Sequence, residues 1–142
     1  MGPSHEEMDR IVNEHFGYEA KDDVDGVMAS LAPKVEHEVV PSPAGIQHDK
    51  AKIRNYYKMV FGSLKGESVK PLKRYYGEDF IIDETLWSGE IIDGNVFLCG
   101  DKSGPVSFRL LHVFELEDGK IRREQAWCDL AAIQRQLGVT LS

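Results

Sequence analysis

Cysteine is scarce in this sequence, and long apolar runs are missing. The 142 residues include only Cys99 and Cys128, too few for the disulfide framework of a small secreted domain. No apolar run approaches membrane-spanning length, and the N-terminus lacks the basic and apolar segments of a signal peptide. We therefore expect a cytoplasmic protein with reduced thiols.

Basic charge is in deficit as well. Lysine and arginine together number 17 against 24 aspartates and glutamates, which gives a formal net charge of −7. An acidic chain repels nucleic-acid phosphates and anionic lipids. We therefore expect neither nucleic acid nor a membrane surface as a partner.

Motifs for metals, nucleotides and covalent catalysis are also absent. The sequence has no Gly-rich phosphate loop, no dinucleotide fingerprint and no Gly-x-Ser-x-Gly elbow. Its histidines form no His-x-His pair and no Cys/His cluster. We therefore expect no metal site and no cofactor. The histidines are His5, His15, His37, His48 and His112.

The chain length fits one domain over residues 1–142, with helices first and strands after. Ser4 and Glu7 form a capping box before a helical repeat that Gly17 is expected to end. A second short helix follows Asp22 or Asp23, and Asp49 caps a third. The predicted strands are 35–40, 69–76, 80–87, 106–116 and 120–128, and a short helix at 130–137 closes the chain. The Gly-rich segment 89–105 is either a lid or holds a short strand at 96–98.

A turn at Asp118-Gly119 sets the register of the last two predicted strands. A two-residue hairpin loop pairs Glu117 with Lys120, and counting outward pairs His112 with Gln125. One face then carries several polar side chains within an apolar stripe. The polar set, with one tryptophan, is His112, Gln125, Trp127 and Asp129, and the apolar set is Phe108, Leu110, Phe114, Leu116 and Ile121.

His112 is the most informative residue of this face. A histidine among apolar neighbours either has a hydrogen-bond partner or borders a cavity. Two interpretations stay open: Gln125 satisfies His112 within the core, or His112 works in a pocket with Asp129. Asp129 has its own alternative as the N-cap of the closing helix, and Trp127 is either packing or a ligand contact.

Other candidates are defined less sharply by the pattern. Glu84 shares a stripe with apolar residues and would be an inward carboxylate with a raised pKa, or else a charge at the strand edge. Trp87 lies on the opposite face of the same strand. His37 alternates with valines, and either side of its strand could face inward. Tyr18 and Tyr57 offer phenols to a ligand or pack in the core.

Several stretches of the chain resemble one known family. They are Val35-Glu36-His37-Glu38-Val39-Val40-Pro41, Tyr57 with Phe61, the strand from Phe108 to Leu116 with Asp118-Gly119-Lys120-Ile121, Trp127-Cys128-Asp129 and Gln136-Leu137-Gly138. Together with the order of elements, they resemble the SnoaL-like branch of the nuclear transport factor 2-like (NTF2-like) superfamily, which includes polyketide cyclases, ketosteroid isomerases and limonene epoxide hydrolases.

The resemblance implies an α+β fold, a cone in which a curved mixed sheet is wrapped by three N-terminal helices and a short C-terminal one. It also implies a homodimer, a pocket for a small hydrophobic ligand, and acid–base chemistry without a cofactor. Val40 stands before Pro41 where ketosteroid isomerases have their acid, and Leu111 replaces the aspartate of the epoxide hydrolase Arg-x-Asp pair that would begin at Arg109. Both activities are therefore disfavoured.

The functional expectation is a cyclase, isomerase or lyase acting on a hydrophobic carbonyl compound. Asp129 or Glu84 would remove a proton beside the carbonyl, and His112 would donate to the developing oxyanion. The ligand contacts would come from Trp127, Gln125, Trp87, His37, Tyr57 and Tyr18. The alternatives are a non-catalytic module for ligand binding or dimerisation, and a structural domain whose polar residues satisfy one another. Leu111 and Val113 on the back of the sheet would suit a partner subunit.

Overall fold

The computed structural model describes residues 2–139. Four helices accompany a curved, unclosed mixed sheet of five strands, which confirms the expected α+β architecture. Among the described residues, no helix has both the length and the apolar character needed to pass through a lipid bilayer. The elements are α1 (His5–Ala20), α2 (Val24–Ala29), β1 (Leu31–Val40), α3 (Lys50–Ser63), β2 (Leu64–Tyr76), β3 (Phe80–Ile91), β4 (Gly104–Glu117), β5 (Lys120–Cys128) and α4 (Leu130–Gln136).

The sheet brings β1, the first strand of the chain, beside β5, the last. The strand order is β1-β5-β4-β3-β2, with β1 parallel to β5 and the other neighbours antiparallel. β5 and β4 therefore lie inside the sheet, and their side chains alternate between an inner face covered by helices and an outer face.

Several predicted boundaries differ from the structure, among them the start of β2, which lies at Leu64 rather than at residue 69. Gly17 stays helical, and α1 continues to Ala20 until Asp22 adopts a positive φ of 55°. β1 begins at Leu31 rather than at residue 35. In the segment 89–105, β3 extends to Ile91, β4 begins at Gly104, and a short 3₁₀ helix at Gly94–Phe97 replaces the alternative of a strand at 96–98.

The predicted register of β4 and β5 is correct at the turn and wrong beyond it. Glu117 pairs with Lys120 and Leu116 with Ile121, but a β-bulge then inserts one extra residue into β5. Arg122 and Arg123 both contact Glu115, so alternation on β5 resumes one residue later than predicted. His112 consequently pairs with Ala126 instead of Gln125.

The inner face carries two separate groups of packed apolar residues. The first joins α1, α2 and α3 to the turn-proximal half of β4 and β5, with Phe114 and Ile121 at its centre. The second packs α4 against Ile91 and Phe108. Between the two groups runs one row of directly paired residues across the sheet, Asp83, His112, Ala126 and Val39, which we call the waist row.

Candidate functional site

Ionisable side chains converge on the inner face beside the waist row. β5 supplies Glu124, which pairs in register with Phe114 of β4 and His37 of β1. α1 supplies His15 and α3 supplies Tyr57, each from the helix side that carries its apolar residues. All four ionisable side chains are buried, so their charges and hydrogen bonds act in a medium of low polarity.

Glu124 is the centre of this cluster. One carboxylate oxygen, Oε2, lies 3.1 Å from Nε2 of His15, and the other, Oε1, accepts a hydrogen bond from the Tyr57 hydroxyl. Burial alone would raise the pKa of Glu124, but the positive charge and hydrogen bond of His15 hold it well below its usual value. Glu124 is therefore a buried, charged carboxylate.

His15 provides the matching positive charge. Ser30 Oγ donates to the Val27 carbonyl and so accepts the Nδ1 proton of His15 at 2.7 Å. Nε2 is 2.7 Å from Glu19 Oε1. Burial would lower the pKa of His15, but the charges of Glu124 and Glu19 raise it above its usual value. In its imidazolium form, His15 interacts favourably with the carboxylates of both Glu19 and Glu124.

His37 extends the network through Tyr57. The Tyr57 proton goes to Glu124, so its oxygen accepts the Nε2 proton of His37 at 3.1 Å. Burial lowers the pKa of His37 despite the nearby charge of Glu124, and burial followed by the charge of Glu124 raises the pKa of Tyr57 well above its usual value. His37 is thus a neutral donor, and it faces inward with Val35.

His112 lies where this cluster meets the waist row. Its ring stacks on Phe114 and meets the edge of Phe16, and its Nε2 is 3.8 Å from Glu124 Oε2. Its Nδ1 is buried and has no hydrogen-bond partner among residues 2–139. His112 therefore has one fully buried ring nitrogen that no hydrogen bond uses.

One trio in the cluster has the spacing of metal ligands. The ligand atoms of His15, Glu19 and Glu124 all lie within 4.8 Å of one another. The same atoms are joined by the charged hydrogen bonds described above, and Ser30 fixes the His15 ring. A cation and the imidazolium proton would therefore compete for this position.

The structure divides the predicted site residues between the two faces of the sheet. His112, His37 and Tyr57 meet at the inner cluster, and Trp87 packs on Phe108 in the second apolar group. The prediction that Gln125, Trp127 and Asp129 share the face of His112 is wrong, because the bulge in β5 turns them elsewhere. Of the two alternatives for Glu84, the inward position is wrong, because alternation along β3 places its neighbour Asp83 on the inner face instead. The residues on the outer face or its rim are Gln125, Trp127, Asp129 and Glu84.

Three of those four residues have polar partners of their own, and the fourth, Trp127, is exposed. Gln125 donates to Glu38 at 2.6 Å, so it does not satisfy His112. Asp129 accepts from the Ala132 amide as the N-cap of α4, which is the alternative anticipated for it. Glu84 lies 3.7 Å from Arg109, and Trp127 is 46% exposed.

Tyr18, the remaining candidate, packs between α1 and α2. A Cβ atom at Gly26 would lie 2.2 Å from the Tyr18 ring, so the glycine makes room for this phenol. Tyr18 belongs to the margin of the first apolar group, and no contact in the described structure joins it to His112 or Glu124.

Two surface clefts accompany these elements. The larger, of about 270 Å³, is on the outer side and is lined by Glu84, Arg109, Leu111, Trp127, Cys128 and Asp129. The smaller, of about 160 Å³, lies among the charged residues near Arg122 and Glu115. Neither of these two clefts is lined by His112 or Glu124.

Three residues of the inner face, Glu124, His15 and Asp83, are absent from the site that the sequence predicts. A register without the bulge places Glu124 on the outer face beside Val113, and helical spacing places His15 in a stripe of apolar residues that includes Ile11 and Val12. A signal for the bulge existed in Arg122-Arg123, because strict alternation would have placed Arg123 on the apolar face opposite Phe114.

Comparisons with known proteins agree with this architecture. The family model described as "SnoaL-like domain" matches residues 12–124, whereas none of the curated proteins matches. A structure of TsrD from Streptomyces laurentii is 18% identical, with 97% of this chain and 99% of that chain covered and a TM-score of 0.79.

Two further structures share the fold. One titled a putative isomerase from Bacillus subtilis is 19% identical, covers 96% of each chain and has a TM-score of 0.77. One titled an LEH-like epoxide hydrolase from M. tuberculosis is 21% identical, with 95% and 92% coverage and a TM-score of 0.71. Since the family model spans most of the chain and these structures repeat its curved sheet, the protein belongs to the SnoaL-like family of the NTF2-like superfamily.

Proposed function

We propose that this protein is a cofactor-independent acid–base enzyme that acts on a small hydrophobic carbonyl compound bound along the waist row. The observation that supports the proposal is His112, a buried imidazole with one nitrogen facing the Glu124 carboxylate and the other without a partner. Ionisable groups whose pKa values are shifted in opposite directions are typical of acid–base sites. The partly exposed Phe16, Leu110 and Ala126 would contact the apolar body of the ligand.

His112 acts as the base in this mechanism. A neutral imidazole that turns its Nε2 proton toward Glu124 presents the lone pair of Nδ1. Nδ1 takes a proton from the carbon beside the carbonyl, the electron pair of the C–H bond forms a C=C bond, and the π electrons of the C=O bond move to oxygen to give an enolate. Glu124 stabilises the resulting imidazolium as the third member of a catalytic triad does, and the proton then returns to carbon or oxygen.

Exchange of ketone protons with D₂O tests this step without knowledge of the natural substrate. Acetophenone and 2-tetralone are incubated with the protein, and loss of the signal of the protons beside the carbonyl is followed by ¹H NMR. We expect His112→Ala to reduce the enzymatic exchange rate about a hundredfold, because general-base catalysis contributes that much. His48→Ala, which removes an exposed histidine, is the control and should exchange like the wild type.

Either of two results would refute the proposal: exchange no faster than in buffer for both ketones, or equal rates in the wild type and in His112→Ala. A ligand that is bound but recovered unchanged would then point to the second candidate, a non-catalytic binding module. That candidate is favoured by the internal hydrogen bonds of Glu124, His15 and Tyr57, which occupy groups that a catalyst would leave free.

A further inference from the structure

One edge of the sheet is long and open. β2 has 13 residues, about twice the usual length of a strand, and within residues 2–139 it pairs with β3 alone. β1, the other edge strand, is covered near its centre, where His37 and Gln47 exchange two backbone hydrogen bonds of 2.9 and 2.7 Å. β2 therefore leaves a row of backbone donors and acceptors free to pair with another extended chain.

The charge of β2 is opposite to that of the chain. The strand has four basic residues and one acidic residue, whereas the whole chain has a net charge of −7. Arg74 is held by Asp9 and Asp83, but the lysines of β2 form no ion pair with any residue in the range 2–139. These lysines are Lys65, Lys70 and Lys73. β2 is thus a positive surface with unpaired charges on an acidic molecule.

Two irregularities in β2 put its three lysines on one face. The register with β3 shifts between residues 66 and 68 and again between residues 71 and 73. The lysines therefore pair with alternate residues of β3, and alternate residues of a strand share a face. The pairs are Lys65 with Glu90, Lys70 with Leu86 and Lys73 with Glu84. Tyr75 lies on the same face and is 52% exposed, with Lys73 Nζ 5.4 Å from the centre of its ring. The outer side of the open edge is consequently a row of lysines with one exposed aromatic ring.

The charge distribution favours one kind of occupant for this edge. A second β2 strand would bring lysines against lysines, and like charges directly opposite each other destabilise a pair of strands. A membrane or a nucleic acid is an extended anionic surface, so it would also be repelled by the acidic remainder of the chain. A single acidic strand contacts the open edge alone, where it pairs with the backbone of β2 and with its lysines.

We propose that the β2 edge binds an extended acidic segment of another protein, which adds to the five-stranded sheet as a further strand. Acidic side chains at alternate positions of the segment lie on the outer side, next to the lysines. The apolar side chains between them lie on the inner side beside Val69, which is 55% exposed and pairs with Trp87. Pro71 has no amide proton, so the segment pairs with the backbone on either side of it. This surface is independent of the chemistry proposed for His112.

A peptide that alternates acidic and apolar residues tests the surface. The probe is fluorescein-labelled Gly-Glu-Val-Glu-Val-Glu-Val-Gly, and the control peptide has lysine in place of each glutamate. Fluorescence anisotropy measures the dissociation constants. We expect the glutamate peptide alone to bind, and to bind more weakly as salt screens the exposed charges. Lys70→Glu/Lys73→Glu should weaken binding at least about tenfold, because attraction is replaced by repulsion. Lys21→Glu/Lys34→Glu, the same change in charge at exposed positions outside β2, is the matched control and should bind like the wild type.

Hydrogen exchange of the wild-type protein distinguishes strand addition from loose electrostatic attachment. The glutamate peptide should slow the exchange of backbone amides in β2 and leave those of β1 unchanged. The proposal is overturned by equal binding of the two peptides, by no binding of either, by unchanged affinity in Lys70→Glu/Lys73→Glu, or by binding without protection of β2. Phosphatidylglycerol vesicles and single-stranded DNA are tested in parallel. If one of them binds through Lys70 and Lys73 while the peptide does not, the surface belongs to that anion and the proposal is refuted.

Discussion

At the scale of single residues, Glu124 determines how the inner cluster is charged. Three histidines surround this one buried carboxylate, and two acids draw His15 into the imidazolium form. His37 is kept as a neutral donor by burial. The same carboxylate thus forms a charged pair with His15 on the α1 side of the cluster, and His112 lies on its other side.

Removal of the carboxylate charge should destabilise the fold. Glu124→Gln leaves the His15 imidazolium with Glu19 as its only acidic partner, and loss of one member of a buried ion pair costs about 3 to 5 kcal/mol. Urea denaturation at pH 6 measures this change in the free energy of unfolding. Glu117→Gln at the exposed β4–β5 turn is the control, and a comparable loss there would contradict the assignment.

The same pair predicts the pH dependence of stability. The folded pKa of Glu124 is below its ordinary value of 4.5, so its contribution is present above pH 4.5 and is lost as the pH falls through the folded pKa. The pKa of His15 rises from 6.5 to about 10, so its contribution is complete below pH 6.5 and is lost as the pH rises toward 10. The cluster should therefore make its largest contribution to the free energy of unfolding between pH 4.5 and 6.5. Denaturation curves across pH should show this maximum in the wild type and a flatter profile in Glu124→Gln.

At the scale of elements, the bulge in β5 decides which residues form the site. Composition and periodicity were sufficient to predict the helices, the hairpin and the inward position of His112, because those features depend on local pattern. The inward position of Glu124 could not be obtained in the same way, since one extra residue at Arg122 exchanges the faces of all later positions on β5. The parallel pairing of β1 with β5, which brings His37 to Glu124, is likewise a long-range feature without a local signal.

α4 offers a test that separates a structural role of Asp129 from a catalytic one. Its carboxylate caps the helix at the Ala132 amide, and loss of an N-cap costs about 1 kcal/mol. Asp129→Ala should therefore lower the free energy of unfolding by about 1 kcal/mol, while Asp129→Asn, which still caps, should leave it nearly unchanged. Thermal or urea denaturation measures both. If either variant slowed ketone exchange as much as His112→Ala does, Asp129 would have a role in the chemistry after all.

At the scale of the whole molecule, we propose the outer face of the sheet as the surface that binds a second subunit. Trp127 is 46% exposed there and pairs in register with Leu111, beside Glu84 and Arg109. A face that offers apolar side chains together with both an acid and a base can complement itself across a two-fold axis. We therefore expect a homodimer formed through this face, with the helix-covered inner clusters pointing away from the interface.

Sedimentation equilibrium of two variants tests this arrangement. Trp127→Glu places a charge at the centre of the outer face, where burial without a partner is unfavourable, so this variant should sediment as a monomer. Leu98→Glu changes a similarly exposed apolar residue, 52% accessible and located after the 3₁₀ helix, and should stay dimeric like the wild type. A monomeric wild type, or dimers in both variants, would contradict this interface. Because Glu124 and His112 are on the opposite face, the monomeric Trp127→Glu protein should also keep the exchange activity, which separates assembly from chemistry.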